Sequence, residues 1–60
     1  MKQEITVLVV DDHPLLRHGL CDVIARSERF SIVGEASDGE EALRKVSFYK
    51  PEMEIGRAHV

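Results

Sequence analysis

The run Val7-Leu8-Val9-Val10-Asp11-Asp12-His13-Pro14-Leu15-Leu16-Arg17 sets the architecture: an apolar segment stops on two adjacent carboxylates, and a helix pattern begins at once. A strand buried on both faces reads as an unbroken apolar run, which Val7 to Val10 is. Parallel α/β sheets bind ligands at the carboxyl ends of their strands, where Asp11 and Asp12 fall. Neighbouring carboxylates repel, so placing both at the end of a buried strand is costly without a cation. The pair therefore points to half of a hard-cation site with oxygen ligands suited to Mg²⁺. The plainer alternative is an acidic turn that caps the following helix.

Working outward, the apolar segment predicts a strand over about residues 4–10. A helix is expected over about 14–27, opened by Pro14, whose missing N–H has no partner to lose in a first turn. Asp12 or His13 would cap it, Asp12 being the better acceptor. Leu16, Leu20, Val23 and Ile24 recur at helical spacing and predict one buried stripe. Gly19 inside that helix costs about 1 kcal/mol against alanine, which a close approach to the sheet would explain. Ser27 to Arg29 is a polar turn. Phe30, Ile32, Gly34 and Ala36 alternate with Ser31, Val33 and Glu35, predicting an edge strand over 30–36. Ser37/Glu40 and Asp38/Glu41 both have capping-box spacing before a helix over 39–49, which would bury Ala42, Leu43 and Val46. Pro51 ends that helix.

A β-α-β-α order with right-handed crossover follows. The first strand is built to have a neighbour on each side. After Pro51 a third, central apolar strand is expected, yet Glu54-Ile55-Gly56-Arg57-Ala58-His59-Val60 shows neither strand alternation nor a helix stripe. That heptapeptide is what a common sequencing-adapter DNA, GAGATCGGAAGAGCACACGTC, encodes in frame. The expected organisation is a domain over 1–53 and a non-native tail over 54–60.

Composition narrows the function. Sixty residues allow one small domain at most, and 43% hydrophobic with 32% charged residues is a globular balance. A net charge of −3 gives no electrostatic footprint for nucleic acid. The single Cys21 has no disulfide or metal partner and reads as a small buried thiol rather than a reactive one. The opening residues lack the apolar length and the cleavage site of a signal peptide, and no stretch spans a membrane, so the cytoplasm is the expected compartment. His13 and His18 are five residues apart, which does not make a metal pair on one helical face. Gly34-Glu35-Ala36-Ser37-Asp38-Gly39 lacks the spacing and the lysine of a phosphate loop.

Ile5 to Leu20, with Asp11-Asp12-His13-Pro14 at its centre, resembles the opening of a bacterial response-regulator receiver domain, as does Phe30 to Leu43 with its Val33-Gly34-Glu35-Ala36-Ser37-Asp38-Gly39 run. The wording is closest to the branch whose receivers precede a LuxR-type helix-turn-helix domain. The resemblance covers Ile5 to about Met53. It implies an α/β, flavodoxin-like, doubly wound parallel sheet of strand order 2-1-3-4-5, of which only 2-1 is expected here. It also implies Asp12 as a direct Mg²⁺ ligand and Asp11 as a hydrogen-bonded or water-mediated one in the intact parent, with Mg²⁺ binding weak or absent in this fragment, which lacks the third carboxylate. The phospho-acceptor Asp of receivers stands six residues beyond the proline, a position held here by Arg57. The implied parent is a phosphoryl acceptor rather than an enzyme. A sensor histidine kinase would be its partner, a receiver homodimer its assembly, and a separate output domain its only contact with DNA. A Mg²⁺-dependent phosphohydrolase fragment is the next reading, although that family wants a carboxylate at position 13. A small, phosphorylation-independent interaction module is the third.

Overall fold

The computed structural model describes residues 4–56. Five elements alternate along the chain: β1 (Ile5–Val10), α1 (Pro14–Ala25), β2 (Phe30–Ala36), α2 (Gly39–Tyr49) and β3 (Met53–Gly56). The three strands form one parallel sheet of order β2-β1-β3. The α/β doubly wound class thus holds, with β1 in the centre and β2 at an edge. One expectation is overturned: the third strand is present, pairing Val7 with Met53 through to Val10 with Gly56. Main-chain hydrogen bonding to an exposed edge of β1 suffices to extend four residues whose side chains show no strong alternation.

The alternation of β1 divides the core. Leu8 and Val10 face α2 with Ala36, Ala42 and Val46. Val7 and Val9 face α1, packing with Ile24, Leu20, Cys21, Phe30, Ile32 and Ile55. β2 does not alternate cleanly, because its register with β1 shifts between Val7, paired with Ile32, and Leu8, paired with Gly34. The extra residue, Val33, moves the strand from one face to the other, so Phe30 and Ile32 serve the α1 side while Ala36 serves the α2 side. Gly34 leaves room for Tyr49, since a Cβ there would lie 3.1 Å from its Cε2 and 3.3 Å from Leu8 Cδ1.

The helix stripes are narrower than expected. Ile24 and Ala42 are buried, but Leu16, Val23 and Leu43 are exposed. Among the described residues only a three-stranded sheet is available to cover each helix, so the flanks of each stripe stay open. Gly19 makes no close approach either: a Cβ there would meet nothing within 4 Å. α1 stops at Ala25, with Ser27 N–H donating to Ile24 C=O in the following turn. No described helix is long and apolar enough to cross a membrane.

Of the two pairs with capping-box spacing, α2 begins on Asp38 and Glu41, whereas Ser37 pairs with Glu41 and Glu40 with Arg44. Asp38 accepts from Glu41 N–H at 2.7 Å, while Glu41 reaches back to Ser37 N–H at 2.6 Å. The first bond satisfies a donor that the helix start leaves without a partner, and the second ties the residue before the cap to the same turn. Accepting from the Ser37 backbone holds the Glu41 carboxyl below its ordinary value, with the Ser37 hydroxyl and Lys45 adding to the effect against a small opposing burial. A depressed carboxyl stabilises the fold fully above the unfolded value, about 4.3, and that contribution disappears as pH falls through the lower folded value. In an acid titration followed by circular dichroism, wild type is expected to lose helix in that window by a step that Glu41→Gln lacks. Coincident titration curves would contradict this role for Glu41.

Candidate functional site

The turn between β1 and α1 brings Asp11, Asp12 and His13 together at the carboxyl end of the central strand. Asp11 continues the ladder, its N–H donating to Ala36 C=O at 3.0 Å, and its side chain is buried at 4% exposure. Asp12, with a side chain 43% exposed, points toward solvent beside it. One donor atom from each of Asp11, Asp12 and His13 falls within 4.8 Å of the others.

His13, rather than Asp12, is the residue that precedes α1, and its side chain makes no capping hydrogen bond. The local bond runs the other way: Asp11 Oδ1 accepts from His13 N–H at 2.8 Å, an Asx-type turn that lets a buried carboxylate satisfy the backbone. The His13 ring leans back over the pair, its Nδ1 2.8 Å from Asp12 Oδ1 and 3.3 Å from Asp11 Oδ1. Both carboxylates are thus engaged locally, which offsets part of their mutual repulsion.

Two residues complete the surroundings that the sequence did not single out. Arg17, one turn into α1, donates through Nη1 to Asp11 C=O at 2.9 Å and through Nε to Glu35 Oε1 at 3.2 Å. Glu35 lies near the end of β2, and its carbonyl accepts from Lys45 Nζ at 2.5 Å. The signal for Arg17 was its spacing: four residues after His13, it sits above the turn on the helix side that faces back to the strand ends. Cys21 is half-buried on α1, and burial together with nearby Glu35 pushes its thiol up. That agrees with an unreactive side chain.

β3 ends at the same end of the sheet. Gly56 pairs with Val10, adopts a φ of +127°, and approaches so closely that a Cβ would collide with Val10 O. Only glycine tolerates both conditions. The next position, Arg57, which the sequence marked as the site of a phospho-acceptor, lies outside the described residues.

Comparison with known proteins gives this arrangement its family. No protein-family model matches the chain. It is 45% identical over 49 residues to the response regulator GacA of Pseudomonas viridiflava, covering 82% of this chain and 23% of that protein. It is 38% identical over 48 residues to the nitrate/nitrite response regulator protein NarL of Escherichia coli K12, covering 80% and 22% respectively. Its fold matches the signal receiver domain of the response regulator NarL from Mycobacterium tuberculosis with a TM-score of 0.85, at 35% identity. The chain belongs to the receiver-domain family of response regulators. It covers less than a quarter of the length of the two curated relatives and 44% of the solved receiver. In receiver terms, the described residues supply the first three strands and first two helices. The order β2-β1-β3 is the start of the flavodoxin-like sheet that the sequence resemblance implied.

Proposed function

We propose that this chain is the first part of the receiver of a phosphorelay response regulator, in which Asp11 and Asp12 hold the Mg²⁺ needed for phosphoryl transfer. One observation supports the reading above the others: a buried and an exposed carboxylate stand side by side at the end of the central strand. The donor set fits the ion. Mg²⁺ is commonly held through one or two carboxylates, with water and phosphate oxygens completing an octahedron. His13 offers a softer nitrogen and would yield its place beside Asp12 to the metal. When bound, Mg²⁺ supplies positive charge to the equatorial oxygens of the phosphoryl group in flight.

Asp12 is the direct ligand in this reading, because its side chain reaches solvent. Asp11, already committed to the His13 amide, acts through a hydrogen bond or a water. The acceptor carboxylate of a receiver would belong at position 57, where this sequence has Arg57. A guanidinium cannot accept a phosphoryl group, and its charge opposes Mg²⁺. The 60-residue chain is therefore inactive as an acceptor. Residues 54–60 are read as translated adapter sequence following a receiver segment over 1–53, Glu54 to Gly56 pairing with the open edge of β1 through main-chain bonds that do not depend on their side chains. The parent is a cytoplasmic phosphoryl acceptor rather than an enzyme. It would be served by a sensor histidine kinase and assemble as a receiver homodimer. It would regulate transcription through a separate DNA-binding domain and would not insert in a membrane.

The test is chemical. Incubated with Mg²⁺ and acetyl phosphate, the chain is expected to gain no phosphoryl group by intact-mass spectrometry, while an intact receiver of the family gains one under the same conditions. Stable Mg²⁺-dependent phosphorylation of this chain would contradict the assignment of the acceptor to position 57.

A further inference from the structure

We infer that Arg17 is a positioning residue for the Asp11–Asp12 pair, clamping the β1–α1 turn to the edge strand through Glu35; the inference rests on the Mg²⁺ reading above. The acceptor of its Nη1 is the carbonyl of Asp11, at 2.9 Å. That carbonyl belongs to the peptide joining Asp11 to Asp12, so holding it fixes how the two carboxylates are oriented relative to one another. The other arm of the guanidinium holds Glu35 at 3.2 Å, and Glu35 precedes Ala36, whose carbonyl accepts from Asp11 N–H at 3.0 Å. The three bonds close a ring from the end of β1 through α1 to the end of β2 and back.

At the start of α1 the capping residue, His13, makes no side-chain capping bond, and the Asp11 carboxylate accepts from the His13 N–H. Arg17 is largely shielded, at 22% side-chain exposure. It is thus an ordered link rather than a solvated surface arm. The planar fork matters because it meets a carbonyl and a carboxylate at once from one rigid group. Lysine, a single point charge on a flexible stem, satisfies one acceptor and releases the other. Outer residues that orient metal-binding groups commonly change affinity by about 10- to 100-fold when lost. Acting on a backbone peptide instead of a ligand, Arg17 is expected to fall at or just below the lower end of that range.

The experiment is a Mg²⁺ titration of the full chain, followed by the amide signals of Asp12 and His13 in nitrogen–proton correlation spectra. Wild type, Arg17→Gln, Arg17→Lys and Arg26→Gln are compared, each with its thermal unfolding midpoint. Arg26→Gln is the control, removing an exposed α1 ion pair with Asp22 that lies away from the turn. Weakening of Mg²⁺ binding by about 5- to 10-fold in both Arg17 variants, with Arg26→Gln unchanged, is the result expected. Arg17→Lys keeps the charge and helix propensity, so it answers the question even if Arg17→Gln does not fold. Wild-type affinity in Arg17→Lys, or equal weakening in Arg26→Gln, would overturn the positioning role while leaving the Mg²⁺ site intact. Absence of any saturable Mg²⁺ shift in wild type would show that Asp11 and Asp12 do not hold the ion in this chain, and would overturn the role of Arg17 with it.

Discussion

Leu8→Ala is expected to abolish cooperative unfolding of the chain, whereas Leu43→Ala leaves it within experimental error. Leu8 is fully buried in the central strand and clusters with Val10, Ala36 and Ala42, with Val46 packed against them. Truncating such a side chain removes its transfer energy and leaves a cavity that neighbours only partly fill, at about 2–5 kcal/mol. A core this small rarely supplies more than about 3–5 kcal/mol in total. The loss therefore rivals the whole margin and decides the outcome. Leu43 is 73% exposed, and substitutions at such positions usually lie within about 0.5 kcal/mol of neutral. Thermal melts followed by circular dichroism distinguish the two variants. A cooperative transition in Leu8→Ala at the wild-type temperature would mean that β1 is not the core of the fold.

The second large effect is on the ion. Asp12→Asn is expected to weaken Mg²⁺ binding by at least about tenfold, since affinity at such sites follows the number of charged oxygen ligands. Asp11→Asn is the more informative partner. An amide oxygen can still accept the His13 N–H that Asp11 Oδ1 accepts at 2.8 Å, so the turn is retained while the charge is removed. The two variants should therefore lose affinity at unchanged melting temperature. Unaltered affinity in both, measured by the same amide titration, would remove these carboxylates from the site.

Much of this was legible in the sequence, and the misses have physical causes. The four-residue apolar run Val7–Val10 announced a strand flanked on both sides, and β1 is central. Asp38 and Glu41 marked the start of α2, because capping chemistry is local and needs no tertiary context. The placement of Asp11 and Asp12 at the strand end followed from the abrupt change after Val10. The Val33 irregularity escaped because a single alternation of apolar residues describes β2 equally well with or without a shifted register. β3 escaped because strand pairing is supplied by the neighbour's backbone, which side-chain pattern does not reveal. Exposure of Leu16, Val23 and Leu43 depends on how far the sheet extends beneath each helix. Arg17 joins Asp11 to Glu35 across 18 residues of chain, a contact created only by the β1–β2 pairing.

The most direct measurement is the nucleotide sequence of the source locus, read from an independent amplification through and beyond codon 53. The predicted result is an in-frame continuation as an aliphatic strand with an aspartate codon at position 57, followed by the later strands of a receiver. A locus that encodes Glu54 to Val60 as they stand and then stops would contradict it. The chain would then be a natural product without an acceptor, and phosphorelay would be excluded as its function.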